Sequence, residues 1–264
     1  MIREKVLKGL PLDDVYVFDI HGHLGNNNQM QHPSSDAQNI IATMDKLGVN
    51  AICVSSIEAL NTHPEFGNNL IQAITEKFAG RIYGYVVATP HDKNYHFEKF
   101  FSESNRMLGI KIHAMMNHST LSNPGYLPYL EFANSKQIPI LFHTWTAVEV
   151  KQAVIWAENF RDCPIIFAHA GLTDYAAKQE VIRSIQKYEN IYIDTAISST
   201  YDGALEWIIK QVGADRVLYG SDAVFFDCRH TFGKIALSHI SENDKCKIFG
   251  GNAFHLFMKG KPFD

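Results

Sequence analysis

The sequence predicts an α/β protein built as a single (β/α)8 barrel. Apolar runs of strand length alternate eight times with segments of helical periodicity. The runs are apolar at consecutive residues, as expected of parallel strands buried on both faces. The length of 264 residues lies close to the ~250 that such a barrel takes, so residues 1–264 are expected to form one domain. An open doubly wound sheet is the competing architecture, but no Gly-rich phosphate turn follows the first run, where a dinucleotide-binding sheet needs one.

The first strand is the run Val15-Tyr16-Val17-Phe18-Asp19-Ile20-His21-Gly22-His23. Leu24 to Ser35 is rich in Gly, Asn and Gln and contains Pro33, a long loop of the kind that carries function. Asp36 offers an N-cap and Gly48 a C-terminal stop for a helix whose apolar positions are Ile40, Ile41, Met44 and Leu47. Val49 to Ile57 is the second strand, and Leu70 to Phe78 continues a helix entered near Pro64. Ile82 to Thr89 is the third strand, stopped by Pro90, and Phe97 to Leu108 reads as its helix.

The fourth strand is Gly109 to His113, with a helix over Tyr126 to Gln137. Pro139 precedes the fifth strand, Ile140 to Thr144, and Val148 to Phe160 is helical. Pro164 opens the sixth strand, Ile165 to His169, followed by a helix over Tyr175 to Tyr188. Asn190 to Thr195 and Arg216 to Asp222 are strands seven and eight, separated by a helix over Ala204 to Val212. The remaining helices span about Phe232 to His239 and Glu242 to Lys259.

Composition narrows the function. The formal charge is −4 and no long basic run occurs, so neither nucleic acid nor an anionic membrane is an expected partner; a small-molecule substrate is. Met1 to Leu10 is charged throughout, and no apolar stretch reaches the length of a signal core or a membrane span, so the expected location is cytoplasmic. Cys53, Cys163, Cys228 and Cys246 are scattered and read as reduced, with Cys53 in the core. Homo-oligomerisation is left open.

A barrel directs the C-terminal ends of all its strands to one mouth, so polar residues at those ends converge whatever their separation in sequence. They are His21 and His23 on strand one, Lys111 and His113 on strand four, His143 on five, His169 on six, Asp194 on seven and Asp222 on eight. Strand periodicity aims His21 and His23 the same way, and Gly22 is expected to remove bulk where an ion is approached. A single histidine at a strand end is usually a hydrogen-bonded rim residue; the joint placement carries the argument. His21, His23, His143 and Asp222 make a donor set suited to zinc, iron or manganese, with a position left for water. His169 is adjacent and unassigned. Trp145, Tyr201 and Phe225 also follow strand ends and are read as packing, outside the site.

Six segments resemble the amidohydrolase superfamily, in the branch called amidohydrolase 2 with its aminocarboxymuconate-semialdehyde decarboxylase-like and lactonase-like members. They are Phe18 to His23, Gly109 to His113, Ile140 to Thr144, Phe167 to Gly171, Ile191 to Thr195 and Tyr219 to Asp222; Gly250 to Phe257 also resembles the closing helix of that branch. The resemblance spans nearly the whole chain. It implies one divalent transition metal, zinc first with manganese or iron as alternatives. His21, His23, His143 and Asp222 would be its ligands, His169 and Asp222 would be catalytic, and Lys111 and His113 would contact substrate. In dimetal relatives a strand-four lysine is carboxylated and bridges two ions; here Lys111 is expected unmodified at a mononuclear centre, with a rim lysine as the structural alternative. TatD-like deoxyribonucleases also open on Asp-X-His-X-His, but carry a Gly-Glu-Ile-Gly-type fourth strand where this chain has Gly-Ile-Lys-Ile-His. Members of the aminocarboxymuconate type are usually longer, so their substrate is not carried over.

The activity expected from these residues is hydrolysis of a small carboxylate, lactone or amide. Non-oxidative decarboxylation at the same site is the alternative. A catalytically silent barrel would have lost a ligand, and all four are present.

Overall fold

The computed structural model of the chain describes residues 1–26, 35–61, 63–102, 106–171, 174–196 and 201–258. Eight strands run in parallel and pair in sequence order: β1 (Phe18–Leu24), β2 (Ala51–Ser56), β3 (Ile82–Val87), β4 (Met107–Ile112), β5 (Ile140–His143), β6 (Ile165–Ala168), β7 (Ile191–Asp194) and β8 (Val217–Leu218). Each crossover returns the chain to the same end of the next strand, and the accumulated twist curls the sheet into the predicted barrel. The seam between β8 and β1 is closed by individual bonds. Ile20 N–H donates to Tyr219 O at 2.9 Å, Asp222 N–H to His21 O at 2.7 Å, and His23 N–H to Ala223 O, where Gly22 and Ala223 also form a parallel bridge.

Two apolar layers follow from strand alternation. Val17, Ile52, Val54 and Ile110 face outward to the helices, which return Ile40, Met44 and Ile71 from their inner stripes. Phe18, Cys53, Tyr83, Tyr85, Leu141 and Ile166 fill the barrel interior. Burying each of the larger apolar side chains contributes roughly 1.5–3 kcal/mol. Phe257, from the last helix (Asn252–Met258), lies 5.8 Å from Phe18 and 6.2 Å from Tyr85, ring to ring, and plugs the end opposite the mouth.

The first helix after β1 spans Ala37–Leu47 with the expected ends: the Asp36 carboxylate accepts from Asn39 N–H at 2.9 Å and Gly48 takes a φ of 80°. The expected loop from Leu24 to Ser35 lies mostly outside the described residues, as does Lys259, the predicted end of the last helix.

Three expectations need correction. Phe97 to Leu108 is not a helix: a single 3-10 turn covers Phe97–Phe101, and Met107 and Leu108 already belong to β4, where Met107 pairs with Gly84. Phe97 and Phe100 read as a helical stripe because both are buried, Phe97 stacking on Tyr129 at 4.2 Å. Strand eight is much shorter than Arg216 to Asp222, because beyond Leu218 the backbone turns its hydrogen bonds from β7 to β1. The long terminal helix is interrupted, with helices Glu242–Cys246 and Asn252–Met258 joined by a wider turn over Lys247–Gly251.

All four cysteines are unpaired, with Cys53 buried in the interior. No helix among the described residues is long and apolar enough to cross a membrane.

Candidate metal centre

The mouth is organised by an irregularity in β1. Asp19 pairs with Ile52 and Gly22 with Val54, so Ile20 and His21 together oppose Cys53 alone. This bulge lets Ile20 fill the interior while His21 and His23 both turn into the mouth. The Asp19 carboxylate braces it, accepting from His21 N–H at 3.1 Å and Ser221 N–H at 3.0 Å; burial pushes its pKa up to about 7. Gly22 faces away from the mouth. A Cβ there would meet Ile52 Cδ1 at 2.6 Å and Val54 Cγ1 at 3.1 Å, so its role is close packing against the outward side chains of β2 and not access for an ion.

His21, His23 and Asp222 come together as sequence predicts. His23 Nε2 is 3.3 Å from His21 Nε2 and 3.0 Å from Asp222 Oδ1, and His21 Nε2 is 3.5 Å from the same oxygen. The ring proton of His21 is accounted for at Nδ1, which donates to Asp194 Oδ2 at 2.7 Å. His23 Nδ1 has Ser55 Oγ at 2.9 Å; when that nitrogen donates, Nε2 carries the lone pair. In these tautomers three acceptor atoms point at one another, an arrangement that a cation makes favourable. An amine also reaches them: Lys111 is fully buried, with Nζ 2.8 Å from His21 Nε2 and a pKa lowered to about 8 by burial.

His143 and His169 lie beside this group. His169 Nδ1–H donates to Ala196 O at 2.6 Å, and its Nε2 is 3.1 Å from His143 Nδ1. If His143 donates along that contact, its lone pair is left at Nε2, a buried atom without a hydrogen-bond partner among the described residues. The compact donor groupings among the described residues are His21–His23–Asp222 and His21–His169–Asp194; His143 is in neither, and its ring stacks face to face on His113 at 3.7 Å. The second grouping contains the His21–Asp194 bond already described. Burial lowers the pKa of His21, His113, His143 and His169, which favours neutral imidazoles, and raises that of Asp222. The donor set fits a divalent ion by chemistry: neutral imidazole nitrogens, one carboxylate, and an otherwise unexplained orphan nitrogen.

Asp194 is visible in the sequence at a strand end but has no part assigned there. Besides His21, it accepts from His169 N–H at 2.8 Å and Ala196 N–H at 3.0 Å, tying three elements of the mouth together. Gly220 makes room for that pair: a Cβ there would lie 2.9 Å from His21 Cβ and 3.1 Å from Asp194 Oδ2. Gly220→Ala should therefore cost about 1–3 kcal/mol by overpacking. Denaturant unfolding measures it, and an unchanged midpoint would mean that the contact is slack.

The aromatic side chains read as packing divide. Tyr201 is exposed, whereas the Phe225 ring lies 4.8 Å from that of His23 and the Trp145 ring 4.7 Å from that of His143. Both belong to the wall of the site, a correction that no spacing signal in the sequence could supply.

A parallel eight-stranded barrel with histidines and carboxylates gathered at its mouth defines the amidohydrolase class of architecture. The family model described as amidohydrolase matches residues 18–258, and the chain belongs to that family, in the amidohydrolase 2 branch. No curated protein matches the chain in sequence. Among solved structures, 2,6-dihydroxybenzoate decarboxylase from Rhizobium superposes with a TM-score of 0.73 at 16% identity, over 93% of this chain and 99% of that one. Dihydroxybenzoic acid decarboxylase from Polaromonas sp. JS666, with bound manganese and the inhibitor 2-nitroresorcinol, gives 0.74 at 15% identity, over 94% and 98%. 4-Oxalomesaconate hydratase from Rhodopseudomonas palustris gives 0.69 at 15% identity, over 92% and 96%. At such identities the likeness establishes the barrel.

Proposed function

We propose that this protein is a metal-dependent enzyme acting on a small carboxylate, lactone or amide, with one divalent transition metal held by His21, His23, His143 and Asp222. The convergence of His21 Nε2, His23 Nε2 and Asp222 Oδ1 supports this reading most directly. Bound there, the ion would supply Lewis-acid chemistry and an activated water. The chain's own residues do the rest. Asp194 and Ser55 hold His21 and His23 in the tautomers that leave Nε2 unprotonated. Asp222 takes the proton released in the attack and returns it to the leaving group, while His169, whose Nδ1 lies 4.0 Å from Asp222 Oδ2, steadies the charge that develops there. Lys111 faces the substrate with a cationic or hydrogen-bonding amine, and His113 lines the wall behind His143.

Hydrolysis is the first reading. Decarboxylation is the second, favoured by the dihydroxybenzoate decarboxylases among the similar structures. In that reaction the substrate loses carbon dioxide and His169 or Asp222 delivers a proton to the carbon left behind. Zinc is the ion expected from the donor set, and manganese, present in the Polaromonas structure, is the alternative.

Elemental analysis of purified protein should find about one transition metal per chain, and a His21→Ala, His23→Ala double variant should lose it. Unchanged stoichiometry in that variant would remove the proposed ligands. The reconstituted enzyme should then be offered lactones, amides and hydroxybenzoates: acid release without gas indicates hydrolysis, and carbon dioxide release indicates decarboxylation.

A further inference from the structure

Two buried polar atoms at the mouth have no hydrogen-bond partner among the described residues: His143 Nε2 and Trp145 Nε1, on rings 4.7 Å apart. A cation accounts for the first. It cannot account for the second, because the indole nitrogen commits its lone pair to the ring and acts only as a donor. A buried donor without an acceptor is costly, and on a ring that walls the mouth the simplest acceptor is the substrate.

Trp145 is also held in place. Its backbone N–H donates to Glu149 Oε2 at 3.0 Å, and the same oxygen accepts from Thr146 N–H at 2.9 Å, so the residue is fixed to the first turn of the helix Ala147–Asn159. Its ring also approaches that of His169, at 6.0 Å. The half-buried indole therefore stands on an anchored backbone, beside two of the site histidines.

We propose that Trp145 anchors the substrate, its Nε1–H donating to a carboxylate or carbonyl oxygen on the His143 side of the mouth. The inference rests on the metal-dependent reading and extends it. The substrate carries two oxygen-bearing ends, one for the ion and the activated water, the other for the indole. A substrate with a single polar end would leave Trp145 unmet.

The test uses full-length, zinc-reconstituted protein titrated calorimetrically with benzoate and with the three benzenedicarboxylates, phthalate, isophthalate and terephthalate. At least one dicarboxylate should bind roughly tenfold or more tightly than benzoate, since a hydrogen bond to a charged group is being added. In Trp145→Phe that advantage should vanish while benzoate affinity stays as in the parent. In parallel, the Trp145 indole N–H resonance of nitrogen-15-labelled protein should move on adding the tighter dicarboxylate. Trp156, already bonded to Leu121 O at 2.6 Å, should stay still. Should Trp145→Phe fail to fold, spectra of Trp156→Phe and Trp207→Phe assign the Trp145 resonance by elimination. The proposal is overturned if no dicarboxylate outbinds benzoate, if the advantage survives in the variant, if benzoate binding is lost with it, or if the Trp145 resonance does not move. Zinc-independent benzoate binding, by contrast, would count against the metal-dependent reading itself.

Discussion

Replacing Asp222 with Asn should lower turnover by ~10²–10⁴-fold, the usual contribution of a positioned acid or base, while the melting temperature hardly changes. The substitution is nearly isosteric, so it opens no cavity of the kind that makes core truncations costly. Asp222 adopts a φ of 60°, a left-handed conformation that Asn tolerates as well as Asp, whereas Ala would add backbone strain to the comparison. Its backbone N–H continues to donate to His21 O, so the seam between β8 and β1 is preserved. What is lost is an anionic oxygen 3.0 Å from His23 Nε2 and the ability to take up a proton. His169→Asn makes the companion test, since His169 is also left-handed, at φ 66°. Near-normal turnover in both variants, with circular dichroism and melting unchanged, would remove Asp222 and His169 from the mechanism.

Asp194→Asn should weaken metal binding by ~10–100-fold without unfolding the chain, as expected when an outer partner of a ligating histidine is changed. The remaining amide oxygen can still accept from His169 N–H and Ala196 N–H, which protects the turn after β6. The amide nitrogen then confronts His21 Nδ1, and both would donate. His21 escapes by moving its proton to Nε2, the nitrogen needed for the ion. Metal retained after dialysis against graded chelator, compared with the parent, reads the effect; equal retention would show that the tautomer of His21 is not set by Asp194.

Much of this is legible in the sequence, for reasons that differ between elements. Parallel strands buried on both faces are apolar along most of their length, so β1 to β7 stand out, and a barrel carries their ends to one mouth by topology alone. That is why His21, His23 and Asp222 can be grouped although β1 and the segment after β8 are far apart in sequence. The bulge at Ile20 and His21 is not legible, because both its residues still look like a strand; nor is the turn over Phe97–Phe101, where burial imitates helical spacing. The parts of Asp194 and Ser55 depend on which hydrogen bond each makes, and that of Trp145 on one buried N–H without a partner among the described residues. Such facts live in side-chain orientation, which no period in the sequence encodes.

The brevity of β8 bears on how the molecule is assembled. The ring is shut by Tyr219 to Ala223, and Ser221 reaches Asp19 across 202 positions of chain. Contacts of such separation form slowly, because the entropy of closing a long loop must be met before they contribute. A molecule with its other strands in place would carry His21, His23 and His143 but not yet the adjacent carboxylate. Completing the ring and bringing Asp222 to the histidines are one step. Any ion that binds more tightly once Asp222 has joined the three histidines would act as a latch on the closed ring.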